Sequence, residues 1–236
     1  MSRRSLGQHY LVDASVVSNL VSLASIRSGE RVLEIGTGKG VVTKELARAA
    51  SSLEGYEIDR ENLAATREAV DDPRVKLHLG DAFDKNPKFD VLVASLPYSR
   101  SSTFVEWMSR QDYDRAVVVL QEDFLRKVTA LPGQRDYRAI SVIAQVSSEV
   151  RQLARISRSS FSPEPRVNSV IAEWRPRRRL NQREITAIKR LFSLRRRQVG
   201  AAVAELGGQL PQGLGKTRVG ALSPEQALAL ALTTGS

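Results

Sequence analysis

The sequence predicts an α/β fold: a doubly wound sheet with helices on both faces, carrying a small helical domain at its C-terminal end. Three observations predict it. Short apolar, β-branched runs alternate with segments of helical apolar spacing from Asp13 to Trp174, the pattern of strands joined by helical crossovers. The first run ends in a glycine-rich turn and the following ones end in acids or a small polar residue, at the strand ends where open α/β sheets bind ligands. Past "RPRRRLN", residues 175–181, the composition shifts to cation-rich helical spacing.

In order, residues 13–25 read as a first helix with Asp13 as its N-cap. "RVLEI", 31–35, is a strand running into "GTGKG", 36–40, and 41–50 is the helix after it. Strands follow over 53–59 and 74–80, with a helix over 60–70 between them, and Asp81 comes directly after the second. A strand over 88–95 leads to a helix over 101–110, and a strand over 115–121 leads to helices over 122–130 and 137–147. Two last strands cover 149–156 and 169–174. Right-handed crossovers leave few topologies for such an order. Beyond Asn181, "REITAIKRLFSLRRRQVGAAVAEL" has helical spacing and "GGQLPQGLGK" is a loop. Ser223-Pro224-Glu225 is a helix start, with an N-cap, Pro at the first position and an acid after it. The expected domains are 1–176 and 177–236.

The chain has 236 residues, 42% of them hydrophobic, enough for a core. Its formal charge of +10 points to a polyanionic partner, nucleic acid first. With no cysteine, disulfides, thiolate zinc sites and iron–sulfur clusters are excluded, and His9 and His78 are too few for a metal cluster. The basic N-terminus lacks a signal peptide's apolar run, and no apolar stretch is long enough to cross a membrane. A cytoplasmic protein with no membrane contact and no metal is expected, and a monomer.

The "GTGKG" turn is G-x-G-x-G, which disfavours a dinucleotide and suits a nucleoside-type cofactor; it is not a Walker loop. Glu57, ending the second strand, can accept hydrogen bonds from ribose hydroxyls, and Asp81 can accept an adenine amine. Ser95 ends the fourth strand beside them. Any one of these is equally a turn or capping residue; as a set they match what S-adenosylmethionine needs. The corner Ser95-Leu96-Pro97-Tyr98 suits transfer to an exocyclic adenine amine. That amine is a poor nucleophile, and acceptors aimed at its hydrogens release its lone pair. A carbonyl in the Leu-Pro turn and the residue at 95 supply such acceptors, and positioning does the rest. Tyr98 would stack on the extruded base, or else be a core residue in a tight turn.

These residues resemble the ribosomal RNA adenine dimethyltransferase family of the KsgA type, which shares its fold with the erythromycin-resistance methylases. "GQHYLVD" (7–13), "LEIGTGKGVVT" (33–43), "YEID" (56–59), "GDAF" (80–83), "SLPYSRSS" (95–102), "VLQEDFLRKVTALPGQRDYRAISVIAQ" (119–145) and "FSPEPRVNS" (161–169) come in the family's order. The resemblance implies a Rossmann-like class I methyltransferase. Its expected reaction is methyl transfer from S-adenosylmethionine to two adjacent adenosines near the 3′ end of small-subunit rRNA, giving N(6),N(6)-dimethyladenosine and S-adenosylhomocysteine. It implies cofactor contacts at His9, Leu11, Gly36, Glu57, Ile58, Asp81, Ala82 and Ser95, with Gln8 and Gly38 shaping the site. Tyr98 and Phe161 would sandwich the target base, with Phe161 in a Pro-stiffened loop. The family usually has Asn where this chain has Ser95; other amino-methyltransferases use Ser there, so activity is expected to survive, with altered rate or methyl stoichiometry. "LFSLRRRQV" and "RVGALSPEQALAL" are similar to the tail of archaeal members.

Residues 175–199 hold ten cations and one acid. They form either a solvated helix face or phosphate contacts to rRNA, and Arg195, Arg196 and Arg197 are the candidates for the latter. Two other functions stay open: an adenine methylase acting on large-subunit rRNA or DNA, and a ribosome-assembly factor, bound to the small subunit or its precursor, whose binding outweighs its catalysis.

Overall fold

The computed structural model of the protein describes residues 9–234. A short strand β1 (Tyr10–Leu11) precedes helix α1 (Ala14–Ala24). The alternation then runs β2 (Arg31–Ile35), α2 (Val41–Ala49), β3 (Ser52–Glu57), α3 (Arg60–Ala69), β4 (Val75–Leu79), β5 (Val91–Ser95), α4 (Ser101–Met108) and β6 (Arg115–Gln121). Helices α5 (Glu122–Val128) and α6 (Ala139–Ser147) follow, then strands β7 (Ser148–Ile156), β8 (Phe161–Ser162) and β9 (Ser169–Pro176). The last helices are α7 (Gln182–Ser193), α8 (Val199–Leu206) and α9 (Pro224–Thr233).

Seven strands form one sheet in the order β4-β3-β2-β5-β6-β9-β7, and β1 pairs with β8 in a separate antiparallel ribbon. β4 through β6 are parallel, with β9 antiparallel to β6. The central strands are mainly apolar because helices cover both faces. Val91, Leu92, Val93 and Ala94 of β5 are all fully buried. Asp13 caps α1 as expected, its carboxylate accepting the Ser15 and Val16 N–H groups.

The chain divides into two compact units. The first comprises residues up to Phe104, Asp112–Glu122 and Arg151–Arg175. Its core gathers Leu20, Val32, Leu46, Val93, Val117 and Ile171 around the sheet. The second comprises Val105–Gln111, Asp123–Val150 and Pro176 onward. In it α6, α7 and α9 pack on one another, with Tyr137 at the centre. The Tyr137 ring meets Phe192 edge-on at 5.5 Å, and its hydroxyl donates to the Leu222 carbonyl at 3.0 Å. The chain passes from the first unit to the second between Arg175 and Pro176. The 123–150 segment also belongs to the second unit, because its apolar faces are the partners of α7 and α9.

Two local expectations change. The strand expected over 88–95 starts at Val91, because Asp90 is spent on Arg31, whose guanidinium and N–H it accepts. The run expected to be helical from Arg183 to Leu206 breaks at residues 194–198. There the Arg195 carbonyl accepts the Gly220 N–H and the Arg197 carbonyl accepts the Val219 N–H, so the backbone serves a neighbouring turn rather than a helix.

Candidate active site

The sheet grows in opposite directions from the β2–β5 boundary: β3 and β4 lie on one side, β6 on the other. A crevice opens at the carboxyl ends of strands at such a switch point. A cavity of about 340 Å3 lies there, bounded by the turn after β2, the ends of β3, β4 and β5, and the segment His9–Val12.

Backbone forms one wall. Gly36 and Gly38 have φ of +80° and +57°, which side chains disfavour. A Cβ on Gly38 would come within 3.3 Å of the Tyr10 ring, so the chain there can approach a ligand only as glycine. The turn is held from behind by α3. The Thr66 hydroxyl donates to the Gly38 carbonyl at 2.9 Å and accepts from Thr37 at 3.1 Å. The Asn62 amide reaches the Tyr10 hydroxyl at 3.1 Å. Gly55 in β3 lets Thr37 and Leu77 meet: a Cβ there would stand 2.7 and 2.8 Å from their methyl groups.

Glu57 is buried, and its Oε1 accepts the Ile58 and Asp59 N–H groups at 2.8 and 2.9 Å. Oε2 accepts the Gly38 N–H at 2.8 Å and keeps one acceptor position for a hydroxyl in the cavity. Burial pushes this carboxyl up from its ordinary value, and the three N–H groups oppose that shift in part. Glu34, on the neighbouring strand β2, is fully buried with no hydrogen-bond partner on Oε2. Burial pushes its carboxyl up to about 8; the Thr43 hydroxyl opposes this and the Glu57 charge adds to it. Glu34 is therefore a neutral acid at pH 7.

Asp81 accepts the Phe83 N–H on Oδ1 at 2.9 Å and the Arg100 guanidinium on Oδ2. Ile58, half-exposed, offers an apolar surface in the cavity, and Ala82 lies buried beside it. Leu11 joins from β1. His9 Nδ1 is 2.7 Å from the Pro163 carbonyl; that oxygen only accepts, so Nδ1 carries a hydrogen.

At the corner, the Pro97 carbonyl accepts the Arg100 N–H at 2.8 Å, closing the tight turn Tyr98–Arg100. Leu96 buries its side chain, so only its backbone can act in the cavity. No turn or side-chain hydrogen bond reaches the Leu96 carbonyl or the Ser95 hydroxyl among the described residues. The Tyr98 ring stacks on His9 at 5.4 Å, and its hydroxyl is 2.7 Å from Ser169 Oγ. Burial pushes its phenol above the ordinary value, so the ring stays neutral.

The cavity thus gathers His9, Leu11, Gly36, Gly38, Glu57 and Ile58 with Asp81, Ala82, Ser95, Leu96 and Pro97. Gln8 lies outside the described residues. Tyr98 does not line the cavity. Phe161 departs from its expected place in a loop. It pairs with Leu11 in the β1–β8 ribbon, which turns both side chains into the core, and it is 4% exposed. A ring so covered has no open face for a base, and the ring beside Tyr98 is that of His9. Sequence reasoning missed Tyr10, Thr66 and Arg100. The isolated glycine inside the β3 pattern was a readable signal of close approach at Gly55.

Four of the ten cations of the basic segment are paired with carboxylates of the second unit. Arg177 pairs with Glu149, Arg178 with Glu184, Lys189 with Glu106 and Arg197 with Glu205. Arg195 and Arg196 have no carboxylate partner among the described residues. Partial burial and the cations of Arg138 and Arg196 lower the pKa of Arg195. Among the described residues no group of three or more His, Asp or Glu is placed to hold a metal ion, and no helix is long and apolar enough to cross a membrane.

Residues 1–232 match the family described as ribosomal RNA adenine dimethylase. A relative from Pyrococcus abyssi, named probable ribosomal RNA small subunit methyltransferase A, is 31% identical over 85% of this chain and 75% of its own. Another of that name, from Thermococcus sibiricus, is 33% identical over 85% of this chain and 74% of its own. Among solved structures, a dimethyladenosine transferase from Plasmodium falciparum superposes with a TM-score of 0.81 at 24% identity, covering 95% of this chain and 96% of that one. The 23S rRNA methyltransferase ErmE gives 0.67 at 26% identity, covering 95% and 99%. The fold is that of Rossmann-like methyltransferases, as the resemblance implied, and its doubly wound sheet is what the alternation of strands and helices predicted. With the family match over nearly the whole chain and two relatives above 30% identity, the chain belongs to the ribosomal RNA adenine dimethylase family, on its archaeal, KsgA-type branch.

Proposed function

We propose that the protein transfers methyl groups from S-adenosylmethionine to the exocyclic amines of two adjacent adenosines near the 3′ end of small-subunit rRNA. The observation that carries this is one cavity joining the glycine turn, Glu57 and Asp81 to a corner whose acceptors are unused. The residues fit the cofactor. Gly36 and Gly38 leave room for close approach, the spare acceptor on Glu57 Oε2 suits a ribose hydroxyl, and Ile58 with Ala82 suits the flat face of adenine. When bound, S-adenosylmethionine supplies an electrophilic methyl group on its sulfonium.

The chain's own part is orientation. The Leu96 carbonyl and the Ser95 hydroxyl accept the two hydrogens of the target amine and direct its lone pair outward. Tyr98, fixed by Ser169 and His9, presents a ring to the extruded base; stacking of this kind contributes about 1–3 kcal/mol per base. As the N–C bond forms and the S–C bond breaks, the amine gives up one proton to solvent. Arg195 and Arg196 supply phosphate contacts that position the rRNA. The protein works as a monomer, in the cytoplasmic compartment where small subunits are assembled, and needs no metal.

The test is methyl transfer from labelled S-adenosylmethionine to 30S subunits lacking the modification, with nucleoside analysis. Dimethyladenosine at two adjacent positions is the expected product. Binding of cofactor and subunit without methylated adenosine would replace this reading with that of an assembly factor. Ser95→Asn, which carries an amide carbonyl further into the site, is expected to change the rate or the ratio of one methyl to two. Identical products and rates would remove Ser95 from the machinery.

A further inference from the structure

Arg100 lies at the junction of the two halves of the site. Its N–H closes the turn that carries Tyr98, while its guanidinium reaches back to Asp81 and lies 4.9 Å from the centre of the Phe83 ring. The side chain lines the cavity at the end assigned to adenine. Asp81 has one oxygen committed to the Phe83 N–H and the other to Arg100. An adenine amine approaching that second oxygen meets a guanidinium already in place. Both partners of the ion pair are partly exposed, 37% and 26% for the side chains, and a pair so hydrated holds weakly. A ligand that also buries an aromatic ring against Ile58 and Ala82 has the larger claim on Asp81.

We propose that Arg100 is a substrate-contacting residue whose availability depends on the cofactor: adenine takes its place on Asp81, and the freed guanidinium binds a phosphate of the target RNA. This rests on the reading that Asp81 accepts the adenine amine. The released cation stays tethered by a backbone hydrogen bond two residues from Tyr98. The phosphodiesters flanking the nucleotide stacked on Tyr98 are then the nearest polyanion, and guanidinium matches phosphate by a two-pronged hydrogen bond. The arrangement orders the reaction. RNA meets its full complement of contacts only when the methyl donor is aboard, and by linkage RNA tightens the hold on the donor by the same factor.

Two equilibria test this. S-adenosylhomocysteine binding is measured by calorimetry for wild type, Arg100→Met and Arg100→Lys. Retention of unmodified 30S subunits is measured with and without saturating S-adenosylhomocysteine. Wild type is expected to bind 30S about 5-fold or more tightly with the ligand present, within the usual range of site–site coupling. Arg100→Met is expected to bind S-adenosylhomocysteine more tightly than wild type and to lose the coupling. Arg100→Lys, which keeps the charge, is expected to retain part of it, which a merely structural role would not predict. Unchanged coupling in Arg100→Met, or weaker ligand binding by it, would overturn this inference alone. A wild-type protein that fails to bind S-adenosylhomocysteine would overturn the cofactor reading and this inference together.

Discussion

Replacing Glu34 by Gln should make the protein more stable at neutral pH and remove much of its pH sensitivity between 5 and 8. Unfolded, this carboxyl loses its proton near its ordinary value of 4.5; folded, it holds the proton to about 8 because burial strips its charge of solvent. The native state therefore binds more protons across that window, and stability falls as pH rises. Each pH unit is worth about 1.4 kcal/mol, so the residue costs roughly 3 kcal/mol by pH 7 and roughly 4 kcal/mol by pH 8, where the folded group is itself half ionised. Carboxyls held low by their partners, such as Glu30 and Asp90, act below this window, since their contribution is lost only as pH falls through their lowered values. Glu57, also raised by burial, titrates in the same direction, so the difference between variant and wild type is the quantity to read. Urea unfolding at pH 5, 6, 7 and 8 should give a wild-type slope that the variant has largely lost. Parallel pH profiles for the two proteins would refute the assignment of a neutral acid at position 34.

Gly55→Ala should destabilise by about 1–3 kcal/mol, the usual cost of overpacking, and weaken S-adenosylhomocysteine binding through Thr37; the urea midpoint and a titration check both. Arg115→Met should cost about 3–5 kcal/mol, because it leaves Glu30 and the Ala24 and Ser25 carbonyls without their buried donor. It should also blunt the acid sensitivity that Glu30 confers, which thermal melts from pH 3 to 6 would show. The double change Arg195→Glu and Arg196→Glu should weaken 30S binding and lower the salt slope by about two, one for each phosphate no longer neutralised. Arg197→Glu should have a smaller effect on the slope, since its charge is already matched by Glu205.

The middle of the sheet was legible because β2, β5 and β6 are buried on both faces and so read as mainly apolar runs; β2 and β6 begin and end where the sequence put them. The glycine turn and the acids at strand ends were legible because each answers a local constraint of φ or of chain position. The β1–β8 ribbon was not, because two residues carry no periodicity, and so Phe161 was placed in a loop. The break at 194–198 was hidden because its cause, hydrogen bonds to Val219 and Gly220, lies more than twenty residues away in the chain. The charge density of 175–199 was visible in the sequence, but Glu106 and Glu149, which offset part of it, come from elsewhere in the fold. Arg100 reads as one more cation after a corner, and only the fold brings Asp81 to it.

The β1–β8 ribbon also bears on how the protein is made. His9 and Asp13 reach Pro163 and Ser160 across 154 and 147 residues of chain. Closing so long a loop is entropically costly and slow, and it cannot begin until both ends exist. During synthesis His9 and Asp13 must wait for these partners until the chain has been made as far as Pro163. The wall of the pocket that they form therefore sets only after strands β2–β6 have been made. A nascent chain has the five parallel strands β2–β6 before it has a place for a nucleoside, so the donor cannot template their pairing.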